Sequence, residues 1–402
     1  MERQAAAKRS VKKQIILGIF IHNYRWGHQI RGDERGYIEK VKGFRDLGVD
    51  FFTVEKDPPL QEGMHEPVYV SLNLGRIGVP PTRIRELAAL TLRALRYAVR
   101  RYPSRPIAIY AYNQDIENVW VAYILKKFVG GRLVIVYHQV RPAAFQSFGR
   151  GVVDRVRRGF HPVRAVQRSI LPGLNRYAAR HADVQIALSM ATQEEVRLYL
   201  GIKNCAVVGN GLDTSKFVPL QLPKPFDVSF LGRLAPQKGI DTLLHAWAEV
   251  ARRRPGSTMV LIGGGEPEDV SRYKRMVHDL AVEKSVTFAG FVEDSEIVRL
   301  LNSSKLFVFP SRKEGFAQAV SQAMGCGMCC ILSDIPPLRE VYGGAALFSP
   351  VDRPDLLANS ICHMLDSQDE RRALGIKARS LAETFSWGST VRRELAQISG
   401  PR

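Results

Sequence analysis

The sequence predicts an α/β protein made of two doubly wound parallel sheets, and three observations carry that expectation. Its 402 residues exceed what one hydrophobic core holds, since single cores stop growing near roughly 250–300 residues. In both halves, short apolar or β-branched runs alternate with longer stretches of helical spacing, as in parallel strands joined by crossover helices. Between the halves, VPLQLPKPFD places Pro219, Pro223 and Pro225 within seven residues, which reads as a linker and divides the chain into 1–220 and 221–402.

In chain order, residues 14–21, 51–54, 107–110, 133–137 and 184–188 read as strands of the first half, with helical spacing over 83–101 and 119–128. The run 15–21 follows basic residues, as in a signal peptide. HNYRWGH stands where a small-residue cleavage site belongs, so the run is read as a buried first strand. The second half alternates more regularly: strand 226–231, helix 240–253, strand 258–262, a helix, strand 286–288, a helix, strand 306–309, a helix opening near Phe316, and strand 329–332. Residues 385–398 read as a closing helix. Ligands of doubly wound sheets bind at the carboxyl ends of the strands, so the cleft expected between two such domains is where function is sought.

Composition narrows the class. With 45% hydrophobic and 24% charged residues the chain is globular, not disordered or fibrous. The five cysteines are odd in number and mostly bunched, unlike a secreted disulfide framework, which fits a reducing cytoplasm. No run approaches the roughly 20 apolar residues that span a bilayer, so a cytoplasmic protein is expected, soluble or peripheral on the inner face of the membrane. The charge is lopsided: residues 1–220 hold 35 Lys and Arg against 18 Asp and Glu, net +17, while residues 221–402 hold 23 against 21, net +2. Such asymmetry marks a surface that meets anions, or else a solvated basic face.

Three segments of the second half follow strands and suit phosphate or polyol. In FLGRLAPQKGI, Arg233 and Lys238 precede a helix, where helix-end amides and the dipole would reinforce two cations on a diphosphate; alone, the pair is equally a solvated basic loop. In LIGGGEPED, Gly263, Gly264 and Gly265 would let backbone approach a ligand closely, and are also an ordinary turn. In FVFPSRKEGFAQAV, Glu314 stands before a helix whose first turn holds Phe316, Ala317 and Gln318; a carboxylate there would accept hydrogen bonds from sugar hydroxyls, or merely cap the helix.

In this order, with GFVEDSEI, QAMGCG, SDIPPLREV and a late FSW, the motifs resemble the retaining glycosyltransferases of family four, whose architecture is GT-B: two Rossmann-like domains facing a cleft, with a C-terminal helix closing back toward the first. The resemblance covers nearly all of residues 225–390. More faintly, residues 31–35 (RGDER, with Gly32) resemble the glycine loop after the first strand, IVYHQV places His138 where such enzymes often carry a histidine, and VVGNGLDTSKFVP resembles the NGxD segment.

The resemblance implies a hexosyltransferase acting on a nucleoside-diphosphate sugar, a UDP-sugar or GDP-mannose, with a glycan or glycolipid acceptor. Arg233 and Lys238 would neutralise the diphosphate and its leaving charge. Glu314 would hold hydroxyls of the transferred sugar, with the amides of Gly315, Phe316, Ala317 and Gln318 on the phosphates. Gly265 would line the donor, Phe291 and Val292, within GFVE, would flank the base, and His138 would touch the sugar or its leaving oxygen; a histidine satisfied by backbone is the plainer reading.

Two positions depart from the family. The second glutamate of its motif is Gln322 here, which exchanges a charged hydrogen bond to the ribose for a neutral one and weakens donor binding by roughly 1 kcal/mol. The other is Arg31, where the first glycine of the loop is usual. Because of Gln322, a weak or silent GT-B module that binds a glycan or partner is the alternative function. CGMCC invites a zinc reading through Cys326, Cys329 and Cys330, but no partner pair of Cys or His appears at matching spacing. With no Asp-x-Asp pair either, no metal or other cofactor is expected.

The acceptor side is the basic half. Nine arginines lie at positions 141, 150, 155, 157, 158, 164, 168, 176 and 180 against the single acid Asp154, interleaved with Phe145, Phe148 and Phe160. Arginine with aromatics suits an anionic membrane surface or a lipid phosphate. No helix-turn-helix, zinc-finger or RNA-recognition signature accompanies them, so nucleic acid is not an expected partner.

Overall fold

The computed structural model describes residues 14–20, 32–55, 69–71, 87–88, 91–92, 94–96, 106–140, 148–158 and 162–400. Two compact units emerge: Met1–Ala187 with Gln193–Val208 and Val391–Arg402, and Leu188–Thr192 with Gly209–Thr390.

In the first unit the described strands are β1 (Ile15–Phe20), β2 (Asp50–Glu55), β3 (Tyr69–Ser71), β4 (Ala108–Ala111), β5 (Arg132–Tyr137), β6 (Val184–Ala187) and β7 (Ala206–Val207). All pair in parallel, in the order β3-β2-β1-β4-β5-β6-β7. Every residue of β4 and β6 is buried, without alternation, as a parallel sheet covered on both faces requires. β3 and β7 hold too few residues for any periodicity to show in sequence. Of the helix expected over 83–101, residues 87–88, 91–92 and 94–96 are helical and the rest lie outside the described residues, as do Ile21, Arg31, Arg141, Phe145 and Phe160. Gly32 opens the helix Gly32–Asp46.

One buried polar cluster fastens the C-terminal segment to this unit. Lys40 and Glu394 form an ion pair at 2.6 Å with side-chain exposures of 1% and 0%, and Tyr110 donates its hydroxyl to the other carboxylate oxygen at 2.6 Å. The Lys40 ammonium also sits 5.2 Å from the Tyr112 ring centroid. Nearby, Arg132 donates to the carbonyls of Ile398 and Gly400, satisfying helix-end acceptors.

The second unit holds β8 (Phe226–Leu231), β9 (Met259–Ile262), β10 (Val286–Gly290), β11 (Ser304–Phe309), β12 (Cys329–Ser333) and β13 (Leu347–Ser349), parallel in the order β10-β9-β8-β11-β12-β13. The chain builds outward from β8 to one side, then returns to lay β11 against its other edge. Ligands of open α/β sheets bind at that reversal. The helix Ile240–Arg253 buries Ile240, Leu243, Leu244, Trp247 and Val250 against the sheet, an apolar stripe at helical spacing.

The boundary expected at residue 220 moves. Residues 209–220 belong to the second unit, because Asn302 binds both the Leu220 amide and the Val218 carbonyl while Lys224 donates to the carbonyls of Asn302 and Ser304. The proline-rich stretch is therefore anchored chain. The helix Trp387–Ser399 is also divided, being part of the first unit from Val391 onward, so the closing helix is not a possession of the second.

Removing one partner of a buried pair costs about 3–5 kcal/mol, while replacing both with apolar groups is often neutral. Glu394→Ala is thus expected to lower the urea midpoint sharply, and Lys40→Met with Glu394→Leu to recover most of the loss. Equal midpoints for Glu394→Ala and the parent would contradict this.

Candidate functional site

The loops after β8 and β11 meet at the reversal of strand order, and they carry the cations and the carboxylate. After β8, Gly232 takes φ +155°, Arg233 is exposed with no carboxylate partner among the described residues, and a short turn, Pro236–Lys238, leads through Gly239 into the helix Ile240–Arg253. After β11 come Pro310, Ser311, Arg312, Lys313 and Glu314. The Lys238 ammonium and a Glu314 carboxylate oxygen are 2.5 Å apart, with side-chain exposures of 20% and 8%, and the Ser311 hydroxyl donates to that same oxygen at 2.5 Å. Lys238 also stands 5.3 Å from the Phe309 ring centroid.

The surroundings fix both loops. Gly239 has φ +67°, and a Cβ there would lie 2.0 Å from the Pro310 carbonyl oxygen, so only glycine lets the two backbones come this close. Gln237 donates to the Lys313 carbonyl, its own carbonyl accepts from the Arg312 amide, and Arg312 clamps the carboxylates of Asp241 and Asp352. Hydrogen bonding to Asp241 raises the Arg312 guanidinium above its ordinary value, and hydrogen bonding from Arg312 lowers the Asp352 carboxyl. Arg312 is therefore spent on the scaffold.

The glycine run acquires a reason that its sequence did not reveal. A Cβ at Gly263 would sit 2.1 Å from the Gly232 carbonyl oxygen, at Gly264 2.3 Å from the Phe291 ring, and at Gly265 2.2 Å from the Leu234 carbonyl oxygen. Backbone bonds from Leu234 to Gly264 and from Gly263 to Gly290 complete the seam. The three glycines thus join the loops after β8, β9 and β10, and Gly265 and Phe291 come together with the Arg233 loop. Phe291 leaves 49% of its surface exposed at the edge of this assembly, with Val292 half-buried beside it.

The helix Gln318–Gly325 begins without a side-chain cap, its Ala317 N-cap leaving first-turn amides unclaimed by any side chain. Tyr342, fully buried, donates to the Ala317 carbonyl and shares a hydrogen bond with Ser321, and burial holds its hydroxyl far above the ordinary value. Phe316 packs edge-on to Phe385 and near Tyr342. The Gln318 amide donates to the Gly211 carbonyl, which turns its oxygen toward Asn210. Its side chain is therefore occupied and only its backbone is left for a ligand. Gln322 stands half-buried one turn on. Trp387 covers Gly211, where a Cβ would lie 2.1 Å from the indole, and Leu212 donates to the Phe385 carbonyl, so the NGLD and FSW segments are two sides of one joint.

Gly32 and His138 belong to the first unit. His138 is half-buried after β5; its Nε2 lies 2.9 Å from the Tyr112 carbonyl oxygen, which only accepts, so Nε2 is the donor of that hydrogen bond. Ser311 and Tyr342 are site-shaping residues that sequence reading missed; the Ser in PSRKEG was the available signal for the first, while nothing local marks the second.

Among the described residues, no group of three or more His, Cys, Asp or Glu is placed to hold a metal ion. Cys326 and Cys329 are buried in the core, and burial pushes their thiols up to about 12, toward the protonated form that does not ligate.

With this geometry in view, residues 213–381 match the family model described as Glycosyl transferases group 1, and residues 30–216 that described as Glycosyltransferase Family 4. The serotype-specific mannosyltransferase WbdA of Escherichia coli is 36% identical over 178 residues, 42% of this chain and 21% of that protein. The mannosylfructose-phosphate synthase of Agrobacterium fabrum is 33% identical over 185 residues, 42% and 39% of the two chains. The chain thus spans well under half the length of these relatives. Among solved structures, sucrose-phosphate synthase from Thermosynechococcus elongatus superposes with a TM-score of 0.75 at 20% identity, over 95% of this chain and 97% of that one. Anabaena HepE, in complex with UDP and glucose, superposes with 0.71 at 21%, over 95% and 98%. The fold is therefore GT-B, two Rossmann-like domains.

Two outcomes follow from the packing. Gly239→Ala forces a side chain into the Pro310 carbonyl at positive φ and is expected to lower stability by about 1–3 kcal/mol, read as a reduced unfolding midpoint. In the native protein at pH 8, a thiol reagent is expected to modify Cys362 alone, the buried Cys205, Cys326, Cys329 and Cys330 reacting only after unfolding; mass spectrometry of the labelled peptides checks this.

Proposed function

The chain belongs to glycosyltransferase family four, and on that premise we propose that it moves a hexose, with retention and without a metal, from a nucleoside-diphosphate sugar to a lipid-linked or otherwise anionic glycan. The observation that carries this reading is the Lys238–Glu314 pair at the reversal of strand order, beside an uncapped helix end. A diphosphate meets Lys238, Arg233 and the amides of residues 315–318; a sugar hydroxyl meets the carboxylate of Glu314. Gly265, Phe291 and Val292 lie toward the base and Gln322 toward the ribose. In the transfer, the bond from the anomeric carbon to the β-phosphate oxygen breaks, its electron pair leaves on the diphosphate, and the acceptor oxygen bonds to that carbon. The acceptor proton passes to the departing phosphate. Lys238 and Arg233 stabilise the charge that grows there and so act on rate more than on binding.

The first unit, with its excess of arginine, is the acceptor side in this proposal. His138, half-buried after β5, is the residue of this unit that would touch the sugar or its leaving oxygen in this proposal. Relatives named for mannosyl transfer and a fold neighbour bound to UDP make GDP-mannose and UDP-hexoses the first donors to try.

Nucleotide release from a panel of UDP- and GDP-sugars tests the reading. One donor is expected to turn over, unaffected by a chelator, and Glu314→Ala to lower turnover at least about a hundredfold. Unchanged turnover in Glu314→Ala refutes the site, and silence with every donor favours a glycan-binding module. Gln322→Glu restores a charged acceptor and is expected to lower the donor KM about five- to tenfold with little change in kcat.

A further inference from the structure

One buried hydroxyl beside the donor loops takes no part in the transfer chemistry described above. Tyr342 ends the helix Pro336–Tyr342 and is fully buried. Its ring lies edge-on to Phe385, with centroids 6.1 Å apart, and 6.0 Å from the Phe316 ring. Its oxygen stands 2.8 Å from the Ala317 carbonyl oxygen and 2.9 Å from the Ser321 hydroxyl. A carbonyl only accepts, so the Tyr342 proton goes to Ala317 and the Ser321 hydroxyl donates to Tyr342. Burial raises the Tyr342 hydroxyl far above its ordinary value, so that proton is kept.

Ala317 is the N-cap of the helix Gln318–Gly325, and no side chain caps that end. Its carbonyl also accepts from the amides of Val320 at 2.9 Å and Ser321 at 3.3 Å, both within the same helix. Tyr342 therefore ties this carbonyl to a different element of the unit, by the shortest of the three bonds. The peptide joining Ala317 to Gln318 is planar and trans, so its C=O and its N–H point in opposite directions. Holding the carbonyl inward aims the Gln318 amide outward, at the helix end where the dipole favours an anion. An apolar side chain at position 342 could fill the same core without fixing that direction.

We propose that Tyr342 is a positioning residue for the transfer: by holding the Ala317 carbonyl it aims the Gln318 amide at the β-phosphate of the donor. The inference rests on the donor site proposed above. Charge grows on that phosphate as its bond to the anomeric carbon breaks, so an amide aimed at it counts for more in the transition state than in the ground state. A tyrosine that only stabilised the core would move the unfolding midpoint and leave the affinities for nucleoside mono- and diphosphates in their original ratio.

Tyr342→Phe removes one oxygen from the core. It is expected to lower kcat about tenfold while the donor KM rises no more than about threefold, and to weaken binding of UDP or GDP about tenfold. Binding of UMP or GMP, which lack the β-phosphate, is expected to weaken at most about twofold. Ser321→Ala removes the other hydrogen bond of that hydroxyl and keeps the one to Ala317, so it separates lost stability from lost aim. It is expected to lower the unfolding midpoint and to bind the diphosphate within about twofold of the parent. In the parent protein, the diphosphate is expected to slow hydrogen exchange at the Gln318 amide and the monophosphate to leave it fast, a comparison that needs no variant. Mono- and diphosphate weakened alike by Tyr342→Phe, or exchange at Gln318 untouched by the diphosphate, overturns the positioning role alone. A parent that binds neither UDP nor GDP overturns the donor site, and the positioning role with it.

Discussion

The second unit is organised around a cation and a carboxylate held 2.5 Å apart at the one place where the sheet reverses direction. A partly buried pair of this kind contributes little net stability, because desolvation offsets most of the attraction. Its consequence is positional. Lys238 and Glu314 hold one another in place from loops 76 residues apart, and Ser311 fixes the shared oxygen. The rest of the unit keeps those loops in register: Gly239 admits the Pro310 carbonyl, Arg312 bolts one loop to the helix that follows the other, and the glycines after β9 lock a third loop against the first. Lys238 and Glu314 neutralise each other, which leaves the exposed Arg233 as the cation of these loops with no carboxylate partner among the described residues.

How much of this was legible in the sequence varied by level. Strand positions in the second unit were readable because each is a short apolar run bounded by turns, and the family resemblance followed from motif order. Arg233, Lys238 and Glu314 stood out because they are charged residues directly after strands. The partners that hold them did not, since Ser311, Arg312 and Tyr342 gain their meaning only from contacts across the sheet, as with Tyr342 reaching the Ala317 carbonyl 25 residues away. The glycine run was visible, but the loops packed against it were not. Proline spacing suggested a linker at residue 220, and the hydrogen bonds of Asn302, 82 residues on, replaced it with anchored chain.

The two units divide the physical work. The second is nearly neutral and builds its site from backbone amides, paired charges and small residues. Residues 1–220 carry an excess of +17, part of it on the helices Phe148–Arg157 and Pro162–Arg180 of the first unit. No helix among the described residues is long and apolar enough to cross a membrane.

The buried contact between Lys40 and Glu394 spans 354 residues of sequence. During synthesis at about 5–20 residues per second, the ribosome reaches the carboxylate only on the order of 20–70 seconds after the lysine has been made. Through that interval the nascent first unit holds a lysine at a site that cannot yet be closed, and the second unit, which runs to Thr390, is itself still being made. Although the first unit begins to be translated first, its buried carboxylate follows within four residues of the last of the second unit, so the two units become complete almost together.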